Sequence, residues 1–323
     1  MATTTGEPSS EHLMSLPGPG RLGTLLARLG FAQRDAIAVL ANLPRQEQQP
    51  ELWDLLQDAH RRLAARIGVP GSVDLIPPEV QRFGPAGDLF GVYLLLSILP
   101  DTLAWHRARG IPEEVTWRTL SDLGRQVDTF YRFNGRIGFD EEAWISRHFR
   151  CLLFQLGRLQ FERWRLPDDW PHLADGIGPG AEALNIHIPE AGPLRPEECD
   201  QSLAAALPFF DRYFPGHGYR AGVCTSWLLD DQLARYLPEE SNIIRFQRRF
   251  ELLPGGVASN GTIIRFVFRT RETDLGCLPQ NTSLERAVVG HIRRGGVWRA
   301  RSGWLRLNRA DGQRPTNKGK ETR

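Results

Sequence analysis

From Arg21 to about Phe149 the apolar positions recur with the period of an amphipathic helix. Leu22, Leu25, Leu26 and Leu29 form one stripe, and Leu52, Leu55, Leu56, Ala59, Leu63 and Ile67 form a longer one. Pro44, Pro50, Pro70, Pro77, Pro78, Pro85, Pro100 and Pro112 punctuate these stripes. Proline starts or follows helices more readily than it sits inside them, so this half reads as a bundle of short helices. The longest apolar run, Leu89 to Leu99, lies between Asp88 and Pro100-Asp101 and is about half of the roughly 20 residues that cross a bilayer. It predicts a buried helix, and no membrane is expected as a partner.

After a further helix capped by Asp140 and carrying Trp144 and Phe149, the period drops to two in Leu156–Glu162. On such a strand Arg158, Gln160 and Glu162 face one way and Leu159 and Phe161 the other. Beyond a Pro, Asp and Gly linker at 167–180, strands are expected at 184–189, 219–229, 262–269 and 298–307. Helices are expected at 196–213, 231–237 and 283–293, and either a helix or a strand at 242–253. The fold class that follows is a helical bundle joined to a mixed α/β sheet flanked by helices. The division is a flexible leader at 1–20, a helical N-terminal domain at 21–150, an α/β domain at 151–310 and a disordered basic tail at 311–323.

Composition narrows the partners. With 40 basic against 38 acidic side chains the formal charge is +2, too small for a global attraction to nucleic acid, so no nucleic-acid partner is expected. Cys151, Cys199, Cys224 and Cys277 are widely spaced, which predicts neither a disulfide framework nor a zinc ribbon and suits a reducing cytoplasm. The eight histidines are scattered without ligand spacing, so no metal is expected. The N-terminus lacks the basic start and apolar core of a signal peptide.

Two strand-like runs carry reactive side chains. In Leu184–Pro189, Asn185 and His187 share a face; in Gly222–Asp230, Cys224 and Ser226 share one. A sheet gathering these residues on one side would offer a base, a nucleophile or relay, and hydrogen-bond donors; the same pattern also fits an ordinary wet face. His187 suits proton removal, its alternative being a structural histidine bonded to a backbone carbonyl. Cys224 is either a nucleophile paired with His187 or a small inert core residue. Ser226 fits a hydrogen-bond donor, since no Gly-x-Ser-x-Gly elbow surrounds it. Gln160 and Glu162 fit acceptor binding, unless Arg158 and Glu162 merely form a solvated ion pair. Arg245, Arg248 and Arg249, among Phe246 and Phe250, would hold phosphates or lie on a solvated helix face. Trp117, Phe130, Tyr131, Phe133 and Trp144 would line an acyl pocket or simply pack between helices.

Several ordered blocks carry a resemblance: Leu-Gly-Arg-Leu-Gln-Phe-Glu (156–162), Leu-Asn-Ile-His-Ile-Pro (184–189) with Gly192-Pro193-Leu194, Cys-x-Ser-Trp-Leu-Leu-Asp (224–230), Ser-Asn-Ile-Ile-Arg-Phe-Gln (241–247) and Leu-Pro-Gln-Asn-Thr-Ser-Leu (278–284). Together they resemble a family of bacterial acyltransferases that joins a helical N-terminal domain to a C-terminal domain similar to the GNAT fold of N-acetyltransferases. The resemblance implies an N-acyltransferase moving an acyl group from a thioester, acyl-CoA in the first instance, to an amine on a small molecule or peptide. In that fold two parallel strands splay, the thioester lies between them, and the pyrophosphate rests on amides at the next helix N-terminus. The resemblance therefore implies donor contacts at Gly192, Leu194 and Arg245, and a proton for the departing thiolate from Tyr236. Family members commonly carry histidine where Thr225 stands, so no role is carried over to that position. Here the usual pyrophosphate loop is replaced by Glu190-Ala191-Gly192-Pro193-Leu194, and Glu197 and Glu198 in the helix's first turn would repel phosphate. An acyl carrier protein thus stands beside CoA as donor. Three readings follow: direct transfer with His187 as base; a Cys224/His187 acyl-enzyme or hydrolase; and a non-catalytic thioester- or peptide-binding protein of the same fold. The sequence leaves the oligomeric state open.

Overall fold

A computed structural model describes residues 14–174, 176–270 and 272–307. The tail expected at 311–323 lies outside them, as does most of the leader; Met14 is already buried, and Pro19 opens the first helix. Within the described residues the chain up to Trp105 together with Leu120–Cys151 makes one compact unit, and His106–Thr119 with Leu152 onwards makes the other.

Helices α1 (Pro19–Arg28), α2 (Gln33–Ala41), α3 (Pro50–Ala64), α4 (Pro85–Asp88), α5 (Phe90–Ala108), α6 (Glu113–Leu120), α7 (Asp122–Asn134) and α8 (Glu142–Phe149) account for the helical half. The stripes read from sequence are the faces that α1 and α3 bury: Leu22 and Leu26 on the first, Leu52, Leu56, Ala59 and Leu63 on the second. Prolines open α1, α3 and α4, where the missing N–H would have had no helical partner. Pro100 departs from the expectation that it ends a helix, because α5 continues through it to Ala108. The fully buried residues on both sides of the proline stabilise the helix more than one lost backbone bond destabilises it.

Glu142, at the start of α8, lies so close to α5 that a Cβ on Gly91 would come within 2.3 Å of its Cγ. Burial, with smaller contributions from the charges of Asp140 and Glu141, pushes its carboxyl from the ordinary 4.5 up to about 7. The folded protein therefore holds this proton between those two values while the unfolded chain has lost it, and stability falls as pH rises through that window. Urea unfolding of wild type and Glu142→Gln at pH 5 and pH 8 should show the variant sparing about 2–3 kcal/mol of the wild-type loss. An identical pH dependence in both would show that Glu142 carries no such burden.

The second unit is built on a sheet of seven strands: β1 (Leu153–Leu156), β2 (Leu159–Arg165), β3 (Glu182–His187), β4 (Ala221–Ser226), β5 (Glu251–Leu252), β6 (Val257–Ala258) and β7 (Arg299–Arg306). Their order is β1-β2-β3-β4-β7-β5, with β6 also on β7; β3 and β4 are the parallel pair, and the other pairings are antiparallel. Helix α9 (Pro196–Tyr213) covers one face, where Phe209 and Phe210 meet Phe154 with ring centroids 5.2 and 6.0 Å apart. Helices α10 (Asn242–Gln247), α11 (Asn260–Phe268) and α12 (Ser283–Arg293) complete the unit.

Four expectations change. Leu156–Glu162 is not one strand: Leu156 pairs with Leu159, so Gly157 and Arg158 form a two-residue hairpin turn, with Gly157 at a φ of +69°. The strand expected at 262–269 is α11. Its β-branched run reads as a strand, yet burial of Ile263 and Ile264, with Val267 alongside, against Val288 and Val289 of α12 selects the helix. The strand from Tyr219 ends at Ser226 and passes into 3-10 turns at Trp227–Leu229 and Asp231–Arg235. The ambiguous 242–253 segment is α10 followed by the short β5.

Candidate functional site

Register decides which reactive side chains meet. Across β2 and β3, Gln160 pairs with His187 and Glu162 with Asn185, which sets all four on one face of the sheet. On that face His187 Nε2 and Glu162 Oε2 are 2.9 Å apart, with the side chains 21% and 10% exposed. Gln160 beside them is fully buried and Asn185 half-buried. A carboxylate at Nε2 keeps the proton on that nitrogen, so Nδ1 becomes the basic one.

The cysteine does not join them. β3 and β4 are indeed neighbours, but Asn185 pairs with Val223 and Leu184 with Gly222, so Cys224 and Ser226 share the opposite face with Leu184 and Ile186. Cys224 is buried, and that burial pushes its thiol up to about 12. Lying on the face opposite His187 and disfavoured as a thiolate by its burial, this thiol does not meet the imidazole that a Cys224/His187 acyl-enzyme would need beside it. Ser226 uses its Oγ to accept the Leu228 N–H at 3.1 Å and start the 3-10 turn. The Cys-x-Ser-Trp-Leu-Leu-Asp block is thus largely architectural: buried Asp230 accepts from the backbone N–H groups of Gln232 and Arg299 and so fastens the start of β7.

The face of β4 that continues from His187 carries Thr225, whose hydroxyl lies 2.7 Å from that of Ser302 on β7. Thr225 was given no role from the sequence and Ser302 was not singled out there, because their pairing depends on a strand more than seventy residues away. The β3–β4 ladder spans only Ala183–Asn185 against Ala221–Val223, although β3 runs on to His187 and β4 to Ser226. Past Asn185 and Val223 the two strands part, and His187 and Thr225 stand on the two sides of the opening.

The loop after β3 leads to the N-terminus of α9. The guanidinium of Arg158 donates to the carbonyls of Pro189, Gly192 and Pro193 at 3.0, 2.7 and 3.0 Å. Gly192 sits at a φ of +93° with open space where a Cβ would stand, and Leu194 turns its side chain into the core. Glu197 and Glu198, expected to repel phosphate, have cationic neighbours, and so does Glu190 in the loop. Glu190 meets Arg269 at 2.7 Å, Glu197 lies 3.8 Å from Arg245, and Glu198 meets Arg195 at 3.2 Å. Arg249 binds Asp200 and the Pro196 carbonyl, while Arg248 pairs with Glu239.

Tyr236 belongs to another cluster. Its hydroxyl lies 2.9 Å from His291 Nδ1 and 3.2 Å from Arg294 Nη2, and its ring packs edge-on to Trp298. The aromatic residues expected near an acyl chain make local contacts within their own units: Tyr131 stacks under Arg34, Trp144 meets His148 edge-on, and Trp117 donates to Glu113. Among the described residues no group of His, Cys, Asp and Glu is arranged to hold a metal ion, and no helix is long and apolar enough to cross a membrane.

With this geometry in view, the likeness to known proteins is specific. Residues 20–151 match the N-acyltransferase N-terminal domain and residues 153–305 the GNAT-like C-terminal domain. An acyltransferase solved in complex with decanoyl-CoA and teicoplanin is 37% identical over 94% of this chain and 92% of that one, with a TM-score of 0.85. An acyltransferase variant in complex with octanoyl-CoA is 36% identical over the same shares, with a TM-score of 0.82. An acyltransferase with decanoyl-CoA alone is 38% identical over 91% of this chain and 90% of that one, with a TM-score of 0.83. No curated protein matches the chain closely enough to count as a relative. Domain matches that together span the two-part architecture, and relatives similar over nearly their whole length, show that this chain belongs to the N-acyltransferase family that couples an N-acyltransferase N-terminal domain to a GNAT-like C-terminal domain.

Proposed function

We propose that the protein transfers an acyl group directly from acyl-CoA to the amine of a small peptide-like acceptor, at the sheet face that carries Glu162 and His187. The observation that carries this reading is their 2.9 Å contact beside the place where β3 and β4 part. The amine nitrogen attacks the thioester carbonyl, a C–N bond forms, the C–S bond breaks, and the amine proton passes to Nδ1 of His187 while CoA leaves as a thiolate that then takes a proton. Glu162 orients the imidazole and stabilises its cationic form. Gln160 and Asn185, on the same face, hold the acceptor.

The donor is proposed to enter from the other side of the opening. There the 189–194 loop, with Gly192 and Leu194, and Arg245 of α10, 3.8 Å from Glu197 in the first turn of α9, meet its phosphates. The relatives' decanoyl-CoA and octanoyl-CoA complexes support CoA over an acyl carrier protein and favour a medium-length chain; the teicoplanin complex supports a peptide-like acceptor of that kind. A cytoplasmic setting suits both the four free cysteines and a CoA thioester donor.

Incubation with acyl-CoA of graded chain length and teicoplanin, followed by product mass, should give an amide product with decanoyl-CoA. Cys224→Ala should turn over within about twofold of wild type, since a buried thiol with no nucleophilic role is nearly dispensable. Intact-protein mass should show no adduct. Silence across all chain lengths, or an adduct lost in Cys224→Ala, would contradict the proposal.

A further inference from the structure

We infer that Arg158 is the positioning residue for the donor's pyrophosphate, acting through the loop rather than touching the ligand. The inference rests on the acyl-CoA reading above. Three carbonyls of one short loop converge on the guanidinium of this residue, which as a whole is only 8% exposed. In a trans peptide the C=O and the following N–H point in opposite directions. Holding the Pro189 and Pro193 carbonyls therefore turns the Glu190 and Leu194 N–H groups away from Arg158. Those two amides flank Gly192, whose +93° φ makes the bend between them.

The arrangement supplies what the missing glycine-rich motif would have supplied. Such a motif presents backbone amides through its own flexible turns. Here the turn contains two prolines, Pro189 and Pro193, which donate no N–H. Its conformation is fixed from outside by a cation whose charge also stands behind the loop. Arg158 is itself well placed: its backbone N–H donates to Ser202 Oγ at 2.7 Å, and the same hydroxyl donates to the Glu198 carbonyl at 2.9 Å. A Cβ on Gly157 would come within 2.8 Å of that hydroxyl, so the hairpin reaches α9 this closely because residue 157 is glycine. The carboxylate in the loop, Glu190, is neutralised by Arg269 at 2.7 Å.

The test compares two donors that share the thioester and differ in the nucleotide: decanoyl-CoA and decanoyl-pantetheine. Lysine keeps the charge of Arg158 but cannot span three carbonyls with one ammonium group. Arg158→Lys should weaken equilibrium binding of CoA, read by calorimetry, by about 10- to 100-fold. It should raise KM for decanoyl-CoA in proportion, with kcat unchanged, and leave kcat/KM for decanoyl-pantetheine within about twofold. Gly192→Ala, whose Cβ meets open space but strains the loop at its positive φ while the Arg158 side chain is kept, should produce the same CoA-selective loss and serves if the lysine variant folds poorly. Unchanged CoA affinity in a folded variant, or equal losses on both donors, would overturn the proposal. The binding arm is read without turnover, so a wild type that binds CoA but transfers nothing would refute the transferase reading and still leave Arg158 decided.

Discussion

His187→Ala is expected to lower kcat by about a hundred- to ten-thousandfold, the range for removing a positioned general base. The amine must lose a proton as it is acylated, and no other imidazole shares the sheet face of β2 and β3 with Glu162 among the described residues. KM for the donor should stay near the wild-type value, because the loop that would meet the phosphates is built by Arg158 and not by this histidine. The low-pH limb of the kcat profile should flatten in the variant, since protonating an absent imidazole costs nothing. Steady-state rates over pH 5–9 with saturating donor check both points. A loss confined to KM, or a limb unchanged in the variant, would make His187 a structural residue.

Glu162→Gln should cost about a hundredfold in kcat while leaving the fold intact, and the reason is tautomeric. The carboxylate accepts only, which keeps a proton on Nε2 and makes Nδ1 basic. A glutamine amide can donate to Nε2 instead, which moves the proton to Nδ1 and removes the base. It also withdraws the negative charge that stabilises the imidazolium. A comparable substitution of the orienting carboxylate in serine proteases is costly for the same two reasons. The companion Asn185→Ala, on the same face but without a charge to give the imidazole, should act mainly on acceptor KM. Near-wild-type kcat in Glu162→Gln, with an unshifted unfolding midpoint, would show that the 2.9 Å contact is incidental.

Much of the fold was legible because periodicity reports burial. The stripes of α1 and α3, the helix at Pro196–Tyr213 and the helix at Ser283–Arg293 all appear where the apolar spacing places them. The strand expected at 262–269 failed because β-branched residues also suit a helix whose buried side meets another helix, a tertiary fact that no local pattern contains. The site was half legible for a similar reason. Alternation gives the phase within each strand, so Asn185 with His187 and Cys224 with Ser226 were correctly grouped on their own strands. It does not give the phase between strands. A one-residue difference in the β3–β4 register separates the imidazole from the thiol, and only pairing shows it. Arg158 was hidden differently: reading 156–162 as one strand put its side chain beside Glu162, whereas Gly157 marks a hairpin that turns it toward the 189–193 loop.

The central claim is that the acyl group passes in one step, with the histidine face of the sheet serving the amine and the buried cysteine serving only packing. Rapid mixing of enzyme with excess decanoyl-CoA, following thiol release with and without acceptor, tests it most directly. Direct transfer predicts no burst without the amine and, once it is added, thiol release matched one for one by amide. A burst equal to the enzyme concentration in the absence of acceptor would mean that the protein itself is acylated, and would contradict the account.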